Sequence, residues 1–293
     1  MSVHGGVRMR LGRVAIVGAG QVGTMLGMAL LRPSLEAGVD EVGLFDADRS
    51  VAEASLGRGA GHRILDGHLE VLESDTVVLA LPVREIVTWV GRFAGDMKRG
   101  SLVVDTGSAK RAVVEAMRHA VLKSVHAVGG HPVAGTEQPG PEGARPDLLE
   151  GAAFVLTPVR DDPEAMARGR MLAAAVGARP VEIEADLHDR ILACTSHLPH
   201  VMAFALALVA GRTGSDGDLV RELAAGGFEG ATRLGASDPG MVAGFLSCNA
   251  DEVRRVILDL EDRLEEILAA LAAGPEALAR LLSRARAALE RVR

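Results

Sequence analysis

The chain has 293 residues with a formal charge of −7, and its sequence pI near 5.7 argues against a polyanionic partner such as nucleic acid. Aromatic residues are only 2% of the chain (six Phe, one Trp, no Tyr), so the core must be aliphatic and base stacking has few side chains to use. At 48% hydrophobic and 24% charged the composition is that of a globular protein of one large or two modest domains.

From the start, Met1 to Arg13 lacks the apolar stretch of a signal peptide. Arg13 to Val17 is a continuous apolar run, as expected of a strand buried in a parallel sheet. It enters Gly18-Ala19-Gly20-Gln21-Val22-Gly23, and a helical pattern follows to about Leu31, stopped by Pro33. Strand, G-x-G-x-x-G turn and helix stand in the order of a dinucleotide site. Gly18, Gly20 and Gly23 would allow close approach of a pyrophosphate, with Gln21 and Val22 at the helix start. A second strand, Glu41 to Phe45, ends in Asp46, whose carboxylate can accept both ribose hydroxyls of an adenosine and repel a 2′-phosphate. That favours NAD over NADP. Arg49 could offset the repulsion, and a turn or helix cap is the other use of Asp46.

The alternation continues with strands at 75–81, 101–105 and 124–128 and helices at about 84–94 and 110–120. Alternating strands and helices predict an α/β domain with a doubly wound, Rossmann-type parallel sheet that binds ligands at the carboxyl ends of its strands. Leu81-Pro82, Thr106-Gly107-Ser108 and Gly130-His131 all fall at such ends. The segment Gly129-Gly130-His131-Pro132-Val133-Ala134-Gly135-Thr136-Glu137 sets a histidine at a strand end in a glycine-lined turn, a suitable place for an acid or base. Glu137 to Glu150 reads as a surface loop over the site. Strands at 153–157 and 179–183 enclose a helix at 163–176, and from about Asp186 every segment is helical. The expected division is a sheet domain over 1–185 and an all-helical C-terminal domain over 186–293.

Within the helical part, Ile191 to Gly211 is about long enough to span a membrane. His197, Pro199 and His200 in its first half favour a buried helix or a subunit interface, and no membrane partner is expected. Cys194 and Cys248 sit in apolar surroundings without disulfide or metal spacing, which reads as a reducing, cytoplasmic setting. His197 and His200 share a helix face, but no third ligand accompanies them, so no metal is expected. The basic face of the last helix, Arg280 to Arg291, reads as solvated.

These motifs together resemble the prephenate/arogenate dehydrogenase family of tyrosine biosynthesis. The matching pieces are Gly18 to Gly23, Leu79-Ala80-Leu81-Pro82-Val83, Asp105-Thr106-Gly107-Ser108-Ala109-Lys110, Gly130 to Glu137 and Ser196-His197-Leu198-Pro199-His200. Gly226-Gly227-Phe228, Thr232-Arg233 and Ala236-Ser237-Asp238-Pro239 complete the set, which spans roughly residues 13 to 260. The resemblance implies NAD-dependent oxidative decarboxylation of a cyclohexadienol carboxylate. In that reading His131 accepts the hydroxyl proton and Ser108 is its hydrogen-bonding neighbour. Arg233 holds a carboxylate, His197, His200, Thr136 and Glu137 line the substrate pocket, and Leu81 and Pro82 border the cofactor. Lys110 suits a phosphate or supporting role as well as a catalytic one. Family members pair through their helical domains, so a homodimer is expected. No regulatory ACT domain or fused chorismate mutase is expected, so tyrosine feedback would act at the active site.

The chain also departs from the family pattern. Val242 follows Met241 where a tryptophan is common, and Glu229 and Gly230 replace a basic and acidic pair. Prephenate is the leading substrate that the resemblance implies, and arogenate and 4-amino-4-deoxyprephenate stay open beside it. A β-hydroxyacid dehydrogenase and a non-catalytic nucleotide-binding protein are the competing readings.

Overall fold

The sheet is built outwards from a continuous apolar run. β1 (Gly12–Val17) lies between β2 (Val39–Phe45) and β4 (Thr76–Leu79), parallel to both. Its inner residues are buried on both faces, as a continuous apolar run requires. The computed structural model describes residues 9–32, 38–136, 138–212 and 217–292. With β3 (Arg63–Ile64), β5 (Leu102–Asp105), β6 (His126–Pro132), β7 (Ala153–Pro158) and β8 (Arg179–Glu182), one eight-stranded sheet forms in the order β3-β2-β1-β4-β5-β6-β7-β8. All neighbours are parallel except β6 and β7, which run antiparallel.

Helices cover both faces of this doubly wound sheet. One core packs α1 (Gln21–Leu30) and α6 (Pro163–Ala175) on Ile16, Leu44, Val104 and Phe154. The other packs α4 (Val83–Phe93) and α5 (Arg111–Ala120) on Val17, Leu79 and Val103. Each of these last two helices has a single apolar face, which the sheet buries. β3, α2 (Arg49–Gly57) and α3 (His68–Leu72) were not legible in the sequence. β3 has two residues and α3 five, too few to display a period.

After β8 every described element is helical. α7 (Ala185–Leu192), a π-helical turn (Ala193–His197) and α8 (Leu198–Ala210) make one continuous helix. α9 (Gly217–Leu223), α10 (Gly226–Thr232), α11 (Pro239–Cys248), α12 (Ala250–Ala273) and α13 (Pro275–Glu290) follow. α10 forms from a glycine-rich stretch; its exposure leaves it on the surface, packed along α8. α13 folds back along α12 at Gly274, whose φ of +103° needs glycine. Val242 and Phe245 of α11 join Val83, Ile86 and Trp89 in the second core, so sheet and helices share apolar packing. Val242, where a tryptophan was the family habit, fills that core at 4% exposure.

Two expectations change at the sheet's far side. His131 does not lie in a turn after the strand: β6 runs on to Pro132, and His131 pairs with Val155 of β7. Antiparallel pairing with β7 supplies ladder partners that a sequence window cannot see. The segment after Glu137 is not a free surface loop either. Its 3₁₀ turns Pro141–Gly143 and Pro146–Leu149 lie against α1, with Leu149 and Ala144 buried in the core.

Gly130 allows this edge to close, since a Cβ there would lie 2.3 Å from the Asp105 carbonyl oxygen. Gly130→Ala should therefore cost ~1–3 kcal/mol of stability. Gly91 in α4 meets nothing within 4 Å, so Gly91→Ala should be neutral or stabilise by up to ~1 kcal/mol. Chemical denaturation of both variants checks the contrast; equal midpoints would show that β5 and β6 are not held so tightly.

Candidate active site

The glycine turn after β1 is built for close approach. Gly18 has φ +95° and a Cβ there would strike the Ala80 carbonyl; a Cβ on Gly23 would lie 1.9 Å from the Gly18 oxygen. On Gly20 it would meet nothing within 4 Å, so the turn is open on that side. α1 starts there with no side-chain cap and no acidic residue in its first turn, which leaves amides and the positive end of the helix dipole available to an anion. Asp46 stands beside the turn, accepting from the Ala19 amide at 2.8 Å and the Asp48 amide at 3.0 Å. Arg49 faces Glu53 (3.1 Å) and Asp66 (3.7 Å).

A pocket of about 380 Å³ opens here, lined by Gly18, Asp46, Leu81, His68, Trp89 and Phe93 among others. Pro82 is exposed at its rim, at the N-cap of α4. His68 stacks on Phe93 with ring centroids 4.0 Å apart and tilts against Phe45 at 4.6 Å. Burial, with Arg92 nearby, pushes its pKa down. The sequence did not single out His68, because α3 carried no period to place it. A flat stacked surface, an open glycine turn and a carboxylate at the end of β2 suit an adenosine diphosphate.

Gln21 and Thr136 are joined to each other. The Gln21 amide donates to the Thr136 carbonyl (3.0 Å), the Thr136 hydroxyl (2.8 Å) and the Gln138 carbonyl, and accepts from the Thr136 amide at 3.2 Å. These two side chains therefore clasp the glycine turn to the segment following His131. Val22 is half-buried against the core. Glu137 lies outside the described residues.

Behind β6 lies a buried ion pair. Lys110 bonds Asp105 and the Gly130 carbonyl (2.6 Å), while Asp105 accepts from the Gly130 amide (2.9 Å) and the Gly107 amide (2.8 Å). Lys110 is fully buried, so it braces two strand ends and does not meet a phosphate.

His131 is buried at 9% exposure and its bond is not to Ser108. Its Nδ1 lies 2.9 Å from Nε2 of His188, and His188 Nδ1 lies 2.7 Å from Asp189 Oδ1. Asp189 also accepts from the backbone amides of Lys110 (2.7 Å) and Arg111 (3.0 Å). Asn249 donates to the Asp189 carbonyl at 2.8 Å and reaches His197 Nδ1 at 3.2 Å. Burial drives the His131 pKa well below 6.5, and His188, Lys110 and His197 add to this. His188, Asp189 and Asn249 were missed because each joins the cluster only through tertiary contact.

The remaining expected residues come from the helical part. His197 is buried and stacks on Phe245 (4.9 Å), while His200 meets the same ring edge-on (5.2 Å) and bonds the Ser196 carbonyl. Ser108 is half-buried, with its backbone near His197 although outside hydrogen-bond geometry. Arg233 is exposed and opens the 3₁₀ turn Arg233–Ala236. Among the described residues no group of three His, Cys, Asp or Glu side chains is placed to hold a metal.

A nucleotide turn on a doubly wound sheet, joined to helices that close over a buried imidazole, is the architecture of a dehydrogenase. Family models for the prephenate dehydrogenase nucleotide-binding domain and dimerization domain match residues 36–182 and 184–284. The cyclohexadienyl dehydrogenase of Zymomonas mobilis is 29% identical over 262 residues, 88% of each chain. The 4-amino-4-deoxyprephenate dehydrogenase of Streptomyces pristinaespiralis is 31% identical over 218 residues, 73% of this chain and 68% of that one. The structure of prephenate dehydrogenase from A. aeolicus in complex with hydroxyphenyl propionate and NAD+ aligns with TM-score 0.86 at 26% identity, covering 98% of this chain and all of that one. The chain belongs to the prephenate dehydrogenase family.

His197 gives the site a pH signature. Burial lowers its pKa from 6.5 to about 4, only partly offset by Asp189 and the Ser108 backbone. The unfolded chain then binds this proton more readily, so stability present above pH 6.5 is lost as pH falls towards 4, by up to ~3 kcal/mol. Melting temperature should drop over that window, and less steeply in His197→Gln; parallel curves for the two proteins would remove His197 as the cause.

Proposed function

We propose that the protein oxidises and decarboxylates prephenate to 4-hydroxyphenylpyruvate with NAD, as a step of tyrosine biosynthesis. The observation that carries this reading is His131, a buried imidazole kept unprotonated at neutral pH, on a strand clasped to the nucleotide turn through Gln21 and Thr136. His131 accepts the proton of the C4 hydroxyl, and Ser108 orients that hydroxyl from the β5–α5 turn. Arg233 holds a substrate carboxylate through its guanidinium. His197 and His200, both against Phe245, form the pocket wall. When bound, NAD supplies the hydride acceptor. As the hydroxyl becomes a carbonyl, the ring carboxylate leaves as carbon dioxide and its electrons complete the aromatic ring.

Gly18, Gly20 and Gly23 admit the cofactor's pyrophosphate, and Asp46 takes the adenosine ribose. Arg49 is paired with Glu53 and Asp66, so it does little to offset the repulsion of a 2′-phosphate by Asp46. One second reading has a specific observation behind it. Glu229 precedes Arg233 by four residues at the end of α10, a spacing that places a carboxylate near the guanidinium. An ammonium-bearing side chain, as in arogenate, would suit that pair. The Streptomyces relative makes 4-amino-4-deoxyprephenate the third candidate.

The helical domain pairs two copies in this proposal. The helix Ala185–Ala210 is long and apolar enough to cross a membrane, yet it carries His188, Asp189 and His197 into the buried cluster. Its outer residues Leu208 (73% exposed) and Val209 (66%), with Leu268 of α12 (65%), leave an apolar surface that a second copy would cover.

Purified protein with NAD or NADP and each of the three substrates, followed by nicotinamide reduction, should show prephenate with NAD turned over fastest. No turnover with any of them would overturn the reading. His131→Ala should lower kcat by ~10²–10⁴-fold while NAD affinity holds. Because the His131 pKa is depressed, the acid limb of kcat/KM should fall below pH 6.5; a limb above 6.5 would exclude His131 as the base. Asp46→Ala should reduce the preference for NAD over NADP, which an unchanged ratio would refute.

A further inference from the structure

The side chains behind His131 form a linear chain of hydrogen bonds that ends on a carboxylate, and the direction of every proton in it can be worked out. Asp189 is fully buried and accepts two backbone amides, those of Lys110 and Arg111. Burial alone would raise its pKa, but His188 and those amides more than offset this and hold it ionised. An ionised carboxylate only accepts, so His188 must donate from Nδ1 across the 2.7 Å contact. His188 is itself kept neutral, since burial outweighs Asp189 and its pKa is lowered. A neutral imidazole with its hydrogen on Nδ1 has a bare Nε2. That atom faces Nδ1 of His131 at 2.9 Å, so His131 must supply the hydrogen. The Nε2 of His131 is then left with a free lone pair.

We propose that Asp189 and His188 are positioning residues that fix the tautomer of His131, leaving its Nε2 bare to take the substrate proton, and that they receive the resulting charge. The inference rests on the reading of His131 as the base and deepens it. When Nε2 of His131 gains a proton, the proton on its Nδ1 passes to Nε2 of His188. His131 returns to a neutral ring with its hydrogen on Nε2, and His188 becomes an imidazolium against the Asp189 carboxylate. One proton enters, none leaves, and the net charge of the three residues goes from −1 to 0. Lys110 opposes a cation on either ring, but at His188 the Asp189 carboxylate works against that opposition. The rings meet edge to face, with centroids 5.1 Å apart at 72°, an arrangement that points one ring nitrogen at the other.

Two kinds of measurement test this. Nitrogen-15 NMR of histidine-labelled protein at neutral pH, with His131 assigned from His131→Gln, should show hydrogen on Nδ1 and a bare Nε2. In Asp189→Asn the new amide can donate to His188, which reverses both rings, and His131 should then carry its hydrogen on Nε2. kcat in that variant should fall by ~10²–10⁴-fold with the KM for NAD unchanged, as expected when an imidazole is locked in the wrong tautomer. His188→Gln, whose amide oxygen can still accept from His131 but cannot take its proton, should lose kcat relative to the native protein, and His188→Leu, which can do neither, should fall further still. The pair of His188 variants decides the matter even if Asp189→Asn fails to fold. A His131 in the native protein with hydrogen on Nε2 would overturn the proposal, as would equal kcat in His188→Gln, His188→Leu and the native chain. Undiminished turnover in His131→Ala would instead sink the base reading itself. An inactive His131→Ala with the wrong native tautomer would sink only the relay.

Discussion

The carboxylate of Asp189 is the fixed point of this molecule. It belongs to α7, yet it accepts the amides of Lys110 and Arg111 at the start of α5, supplying the cap that α5 does not provide for itself. A buried anion is costly unless it is well bonded. Here the positive end of the α5 dipole, two amides, the Arg111 side chain at 3.4 Å and His188 all converge on it. The helical part of the chain is thereby locked to the carboxyl end of β5, next to where β6 carries His131. Arg111 extends the lock by gripping Asp251 at 2.7 and 2.6 Å and Asn249 at 3.0 Å. Lys110 turns the other way, onto Asp105 and Gly130. Two adjacent residues thus tie α7, α12 and the end of β6 to one helix terminus.

Apolar packing below this polar layer makes the lock stiff. Trp89 and Ile86 of α4 share a core with Val242 and Phe245 of α11, and Phe245 in turn carries the rings of His197 and His200. The two histidines are three residues apart, and the helix puts both against one aromatic ring. The π-helical turn Ala193–His197 lies just before this point, in keeping with the tendency of such turns to occur at functional positions. On the other side of the site, the Gln21–Thr136 clasp ties the nucleotide turn to the strand of His131. The nucleotide side and the acid–base side of the site are therefore held by separate contacts, one on β6 and one on the segment that follows it.

How much of this was legible depends on the range of the contact involved. β1, β4 and β5 could be read because strands buried on both faces are apolar without interruption, and the glycine turn because Gly18 has a positive φ and Gly23 lies too close to the Gly18 oxygen to carry a side chain. β3 and α3 were too short to show a period. α10 was hidden by glycines that a short surface helix tolerates, and the extension of β6 through His131 depends on β7, more than twenty residues further on. The site was legible in its residue types more than in its bonds. His131 and Asp46 stood out from motif and spacing, but His131 pairs with His188, 57 residues away, and no local pattern announces such a partner. Gln21 and Thr136 stood out as ligand-binding candidates, but their bond to each other across 115 residues has no local signal. The role of Lys110 stayed open between phosphate, support and catalysis because its companion, Asp105, is five positions away on a strand, outside any helical pairing rule.

A depressed pKa on a proposed base raises a question of strength, since a weakly basic imidazole is slow to take a proton from an alcohol. The proposed reaction removes the difficulty. As hydride leaves C4, the hydroxyl becomes a protonated carbonyl, which is far more acidic than an alcohol. The base then needs to be unprotonated and correctly aimed more than it needs to be strong. Burial secures the first condition by disfavouring the imidazolium, and the hydrogen-bond chain through His188 bears on the second. The same burial would make the charged product state unfavourable if the proton stayed on His131 next to Lys110. A carboxylate two bonds along the chain relieves that cost only once charge has formed, so it favours the transferring state over the resting one.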